Sequence, residues 1–240
     1  MEQTTDSASL LRDAAAEIGV TLQADQIQQF MTYLQQLQAW NQSVNLTSLT
    51  RDEEIVIKHF VDSLAALKAE AVREQATVLD IGTGPGFPGI PLRIAREDLN
   101  VTLIESAQKK ISFLHFIVGL LRLERVRIFD GTLERFLTEK TSNQVFDYIT
   151  TRALRHDVIL RFGSRLLSPE GRLILYLSRP LKRFELDRNW SVIREYEFDL
   201  PRGFGRRVVA IVSNVQGPVR DVPRGTSASS CRLSDHRTEA

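Results

Sequence analysis

The stretch Val78–Ala95, VLDIGTGPGFPGIPLRIA, decides the fold. It opens as a β-branched, apolar run ending in Asp80-Ile81 and closes as a helix-like run beginning near Pro88. Between them stand Gly82, Gly84, Gly86 and Gly89, interleaved with Pro85 and Pro88. Glycine tolerates positive φ and lets a ligand approach the backbone. A helix N-terminus presents unpaired N–H groups. Strand, glycine turn and helix in that order make a small-molecule cradle at the carboxyl end of a parallel strand. A bare turn would need one or two glycines, not four.

Working outward, the sequence upstream is helical. Leu10, Leu11, Ala14, Ala15 and Ile18 follow helical spacing over 8–19, and Gly19 ends the run. Ile27, Phe30, Met31, Leu34 and Leu37 repeat the pattern over 24–41. Thr50 and Glu53 have the spacing of a capping box and introduce a third helix carrying Ile55, Val56, His59, Phe60, Ser63, Leu64 and Leu67. His59 and Asp62 share a face of it and read as a packed pair that docks the helical region on the sheet. Downstream the period changes. TVLDI, VTLIE, VRIF, FDYITT and GRLILYL are short strand-like runs, separated by helical stretches over 88–96, 108–121, 133–138 and 156–167. Alternation of this kind predicts a mostly parallel sheet covered on both faces. WSVIREYEF and RRVVAIVS come next without an intervening helix and predict a terminal hairpin. The expected organisation is an N-terminal helical region (1–72), an α/β domain (73–214) and a disordered, arginine-bearing tail (215–240).

Bulk composition narrows the class. The chain has 240 residues, 42% hydrophobic and 25% charged, with a formal net charge of +1. That is ordinary globular composition, and a nucleic-acid partner would need a local basic patch. Arg152, Arg155, Arg161, Arg165, Arg172, Arg179 and Arg183 make the segment after FDYITT basic; on one face they would form a phosphate-contacting surface. The single cysteine, Cys231, permits no disulfide framework, and no Cys/His spacing points to a metal. The N-terminus lacks a signal or membrane-anchor pattern, so the expected setting is cytoplasmic, with no membrane partner.

The ligand is narrowed by chemistry. Gly84, Gly86 and Gly89 fit G-x-G-x-x-G, a dinucleotide pattern that is weak alone. Asp80 also begins D-x-G-x-G-x-G, which resembles the first motif of S-adenosylmethionine (SAM) methyltransferases. Glu105, ending the second strand, can accept hydrogen bonds from a ribose diol, which NAD and SAM both carry. Pro88 and Pro91 remove N–H donors that a pyrophosphate would need. A carboxylate at Asp80 suits a cationic sulfonium ligand with an amino group. Phe87, an aromatic inside the glycine loop, is expected to pack on the ligand or close over it.

Taken together, DIGTGPGFPGIPL, LIESAQKKISFL, FDYITTRAL, WNQSVNLTSL and HFVDSLAAL resemble the bacterial 16S ribosomal RNA guanine-N7 methyltransferase family (RsmG, also called GidB) over about residues 20–213. The resemblance implies a Rossmann-like SAM methyltransferase sheet with a C-terminal antiparallel hairpin and an N-terminal helical region. It implies SAM as cofactor, and 16S ribosomal RNA or the 30S particle as partner of a monomeric enzyme. It places Gly82, Gly84 and Phe87 along the methionine and ribose of SAM, Glu105 on the ribose, Leu133 and Glu134 beside the adenine, Arg152 next to the methyl donor, and Lys109 near the pocket. No general base and no metal are implied. The chain departs from the family pattern where basic residues are usual, carrying Thr132, Ser178 and Ser213 instead. A SAM methyltransferase with another RNA or small-molecule target therefore stays open, as does a SAM- or nucleotide-binding regulator without turnover.

Overall fold

A computed structural model describes residues 2–139, 144–152, 156–181, 186 and 188–215. Arg155, Lys182, Arg183, Cys231 and the expected tail from 216 onward lie outside the described residues.

Seven strands form one sheet: β1 (Thr77–Ile81), β2 (Asn100–Glu105), β3 (Val126–Asp130), β4 (Phe146–Thr151), β5 (Leu167–Leu177), β6 (Trp190–Asp199) and β7 (Arg206–Asn214). Their order is β3-β2-β1-β4-β5-β7-β6. β1 to β5 run parallel, and β7 is antiparallel to both β5 and β6, which is the expected terminal hairpin. The order reverses at β1, flanked by β2 and β4, so the glycine stretch leaves the sheet at its switch point.

Strand side chains alternate between two faces with period two. Val78, Tyr148, Ile174, Val209 and Ile211 belong to one buried cluster; Leu79, Ile149, Leu173, Leu175 and Ala210 belong to the other. The second face is covered by α7 (Leu133–Glu139) and α8 (His156–Gly163) through Phe136, Ile159 and Leu160. On the first face lie α5 (Gly89–Ala95), α6 (Gln108–Leu120) and the whole N-terminal region: α1 (Glu2–Glu17), α2 (Ala24–Val44), α3 (Asp52–Ile55) and α4 (Asp62–Ala69). Leu11, Phe30, Leu37, Phe60 and Leu64 share one core with Val78, Leu103 and Phe113. The N-terminal helices are thus a layer upon the sheet, sharing with its first face a single core that runs across residue 73. No helix among the described residues is long and apolar enough to cross a membrane.

Three local expectations are corrected. The N-cap of α3 is Arg51, not Thr50; it makes no side-chain cap, and its guanidinium pairs with Glu54 at 3.1 Å. The third helix runs unbroken over 52–69 but is not α-helical throughout, because Val56–Val61 widens into a π-helical turn between α3 and α4. Strand β5 begins at Leu167, before the expected Gly171, and α8 ends earlier, at Gly163.

The π-helical turn lies where the helical layer meets the sheet. His59, on that turn, stacks on Phe87 with ring centroids 4.3 Å apart and planes at 17°. Its Nε2 is 2.9 Å from the Thr47 hydroxyl. Burial, assisted by the Arg152 charge, pushes the imidazole pKa from 6.5 down to about 3. Between these two values the unfolded chain binds a proton that the folded chain does not. The stability that neutral His59 contributes is complete above pH 6.5 and falls with acidification, by about 1.4 kcal/mol per pH unit. Denaturant unfolding of the wild type and His59→Gln at pH 7 and pH 5 tests this. The wild type's advantage should shrink by about 2 kcal/mol at pH 5; a gap that ignores pH contradicts a neutral, buried ring.

Candidate active site

The glycine loop is held from below by two carboxylates. Asp80, next to last in β1, lies on the face of the helical layer and is wholly buried. Its Oδ2 accepts from the Thr83 hydroxyl at 2.6 Å and from the Gly89 amide at 2.8 Å. The first free amide of α5 is therefore capped from within the protein. Burial pushes the Asp80 carboxyl up to about 7, against the opposing pull of the Thr83 and Gly89 hydrogen bonds and of the Arg152 charge. Asp80 Oδ1 is buried with no hydrogen-bond partner in the protein. Glu105, at the end of β2, accepts from the Gly84 amide at 2.9 Å through Oε2, and from the Ser106 and Ala107 amides through Oε1. A carboxylate has about four lone-pair sites, so Oε2 retains one.

The loop needs glycine for two different reasons. At Gly84 φ is +63°, and a Cβ there would meet no atom within 4 Å: the space over the loop is open. At Gly86 φ is +116°, and a Cβ would lie 2.6 Å from the Tyr33 hydroxyl and 2.5 Å from Ile90 Cδ1. There the space is filled by protein. The residue that interrupts the glycines serves the packing too. Phe87 is 5% exposed, and its ring is stacked against His59 and Tyr33. The Phe87 ring thus lies in the seam beneath the helical layer.

The other expected residues distribute around the loop. Gly82 has φ +70° and, with Thr83, donates its amide to Ile104 O, tying the loop to β2. Leu133 sits at the start of α7 with its side chain in the second core, so only its backbone is left to face a ligand. Glu134 and Lys109 are exposed, in the first turns of α7 and α6. Gln108 donates to both oxygens of Asp130 at 3.0 Å, fixing the end of β3 beside the start of α6.

Arg152 turns inward. From just past β4 it donates to Lys58 O at 2.7 Å, His59 O at 3.4 Å and the Ser63 hydroxyl at 3.2 Å, and pairs with Asp62 Oδ2 at 2.9 Å. It grips the carbonyls of the π-helical turn and the start of α4. Tyr176 of β5 adds a bond to Ser63 O at 2.6 Å. Asp62 and His59 dock the helical layer, but through separate partners rather than as a pair: Asp62 on Arg152, His59 on Phe87 and Thr47. Arg152 also faces a cleft of about 490 Å³, lined by Asp62, Tyr176, Ser178, Arg179 and Arg207, at the carboxyl end of the central strands. The basic segment does not form one face: Arg172 lies at the other end of β5, paired with Glu70 at 2.7 Å. Among the neutral departures, Ser178 lines the cleft, Thr132 Oγ1 accepts from the Arg135 amide at the start of α7, and Ser213 pairs with Arg172 in the β5–β7 ladder, at the far end. Residues that the sequence did not single out are Tyr33 and Tyr176, which read as ordinary core aromatics. Truncating Arg152 to Ala should cost about 3–5 kcal/mol in denaturant unfolding, because it frees the helix carbonyls and leaves buried Asp62 with only the more distant Arg207, at 4.0 Å; a loss under about 1 kcal/mol would mean that the clasp carries no load.

Residues 26–191 match the family model GidB, rRNA small subunit methyltransferase G. The protein named ribosomal RNA small subunit methyltransferase G of Clostridium perfringens is 41% identical over 151 residues, 63% of each chain. That of Caldanaerobacter subterraneus subsp. tengcongensis is 34% identical over 177 residues, 73% of this chain and 74% of its own. Several relatives are thus matched over only about 63% of their length. Among solved structures, TrmN from Thermus thermophilus superposes with TM-score 0.53 at 17% identity, over 65% of this chain and 48% of its own. A variant of MtNAS in complex with S-adenosylmethionine superposes with TM-score 0.54 at 16% identity, over 86% and 77%. These likenesses show the Rossmann-like fold, while the sequence match shows the lineage: the chain belongs to the GidB family, rRNA small subunit methyltransferase G.

Proposed function

We propose that the chain is a SAM-dependent methyltransferase acting on N7 of a guanine in 16S ribosomal RNA. The observation that carries this reading is the open backbone at Gly84, positioned directly by Glu105, in a chain of this family. The residues fit the cofactor. Gly84 leaves room for a ligand against the main chain. The remaining lone pair of Glu105 Oε2 can accept a ribose hydroxyl. The unpartnered Asp80 Oδ1 is a buried acceptor of the kind a cationic group would satisfy. Asp80 already occupies the Gly89 amide, which leaves the start of α5 unsuited to a pyrophosphate.

Bound there, SAM supplies an electrophilic methyl on a sulfonium sulfur. Guanine N7 has an exposed lone pair and no proton to lose, so the protein need not provide a base. Its task is to align the base and exclude water. Arg152, Arg179 and Arg207 give the neighbouring cleft the charge that a phosphate-bearing substrate needs. Lys109 is exposed beside the cradle and is free to face the same substrate. The reading has the enzyme work as a monomer in the bacterial cytoplasm, on 16S ribosomal RNA alone or within the 30S particle. Ser178 in the cleft, where the family has a basic residue, favours a second reading: the same chemistry on a different RNA or a small molecule.

Two outcomes are expected. Incubation with labelled SAM and small-subunit RNA, naked and as 30S particles, should place label on N7 of a guanine; label elsewhere or nowhere contradicts the substrate. Gly84→Val forces a β-branched side chain into φ +63° and into the open space. Calorimetry on the folded variant should show no SAM binding where the wild type binds SAM and not NAD; unchanged affinity contradicts the cradle.

A further inference from the structure

The glycine loop is fixed from two sides. The sheet unit itself supplies several bonds, among them the Gly84 amide on Glu105, the Gly86 amide on Thr83 O, and the Gly89 amide on Asp80. A further bond comes from the helical layer. Tyr33, in the middle of α2 and wholly buried, donates its hydroxyl to Pro85 O at 2.6 Å.

Pro85 O and the Gly86 amide belong to one planar peptide unit. Tyr33 holds one end of that plane, and Thr83 O, at 3.0 Å, holds the other. The plane is bonded directly to the Cα of Pro85, the residue after Gly84. Its release would free the Gly86 and Phe87 amides from Thr83 O and let Pro85, which follows Gly84 directly, shift with the loop. The Tyr33 ring is itself fixed, stacked on Phe87 at 5.4 Å and tilted against Phe60 at 5.3 Å. Gly86 is what permits the contact, because a Cβ there would lie 2.6 Å from the hydroxyl. The phenol stays a donor at any ordinary pH, since burial and the Asp80 charge raise its pKa well above 10.

We propose that Tyr33 is a positioning residue for the cofactor: its hydroxyl sets the Pro85–Gly86 peptide and thereby the Gly84 cradle, so the helical layer controls ligand affinity without touching the ligand. This deepens the SAM-binding reading and rests on it. A phenylalanine would fill the same ring site, so the hydroxyl is separable from the packing.

The test compares the full-length wild type with Tyr33→Phe and Leu37→Ala. Leu37 is also wholly buried on α2, one turn further along, and takes no part in the loop. Tyr33→Phe should weaken SAM binding about three- to tenfold by calorimetry, the effect of one hydrogen bond. Amide hydrogen exchange in the ligand-free protein should speed up by a similar factor at Gly84, Gly86 and Phe87 and stay unchanged along β1. Leu37→Ala should lower the melting temperature more, yet leave the SAM dissociation constant within about twofold. Equal SAM affinity and equal loop exchange in Tyr33→Phe overturn the proposal, as does an equal loss in Leu37→Ala. If the wild type binds no SAM, the reading of the site fails, and the loop exchange in Tyr33→Phe still decides whether the hydroxyl sets the loop.

Discussion

A buried carboxylate at the end of the first strand organises the site. Asp80 has no solvent access, and it meets the Thr83 hydroxyl and the Gly89 amide with a single oxygen. It fixes the start of the loop and the start of α5 at once, so the glycines between them are confined without any side chain of their own. Glu105 repeats the arrangement from the next strand. Both carboxylates stand at strand ends because a parallel sheet delivers β1 and β2 side by side at its switch point.

The helical layer is the second constraint. Arg152 and Tyr176 reach from the strand ends into the π-helical turn and the start of α4, while Tyr33 reaches from α2 to the loop. Polar bonds thus run in both directions across an otherwise apolar seam. The π-helical turn places the Lys58 and His59 carbonyls where one guanidinium can take both. Such turns recur at functional sites, and here the turn holds Arg152, which lines the cleft.

Much of this architecture is legible in the sequence. The change from helical period to short strands after residue 76 fixes the sheet, and the link without a helix before β7 fixes the hairpin. Asp80 and Glu105 are readable because chemistry and position coincide: each is a carboxylate in the last two residues of a strand. Phe87 is not, because spacing says which residue interrupts the glycines but not which side its ring takes, and the ring went to the nearest apolar surface. The partners of Arg152 are hidden in the same way. A cation after a strand invites a ligand, but the carbonyls that satisfy it become available only when Val56–Val61 widens, and nothing in the apolar pattern marks that widening. The arginines after β4 look like one patch along the chain, yet β5 carries Arg172 and Arg179 to opposite ends of the sheet.

The central claim is that the glycine loop is a ligand cradle whose aromatic residue faces the protein. A crystal structure with S-adenosylhomocysteine tests it most directly. The account predicts the ribose hydroxyls on the Glu105 carboxylate, the ligand against the Gly84 backbone, and Phe87 still stacked between Tyr33 and His59. A ligand seated instead in the Arg152–Arg207 cleft, or Phe87 turned out onto it, would contradict the account.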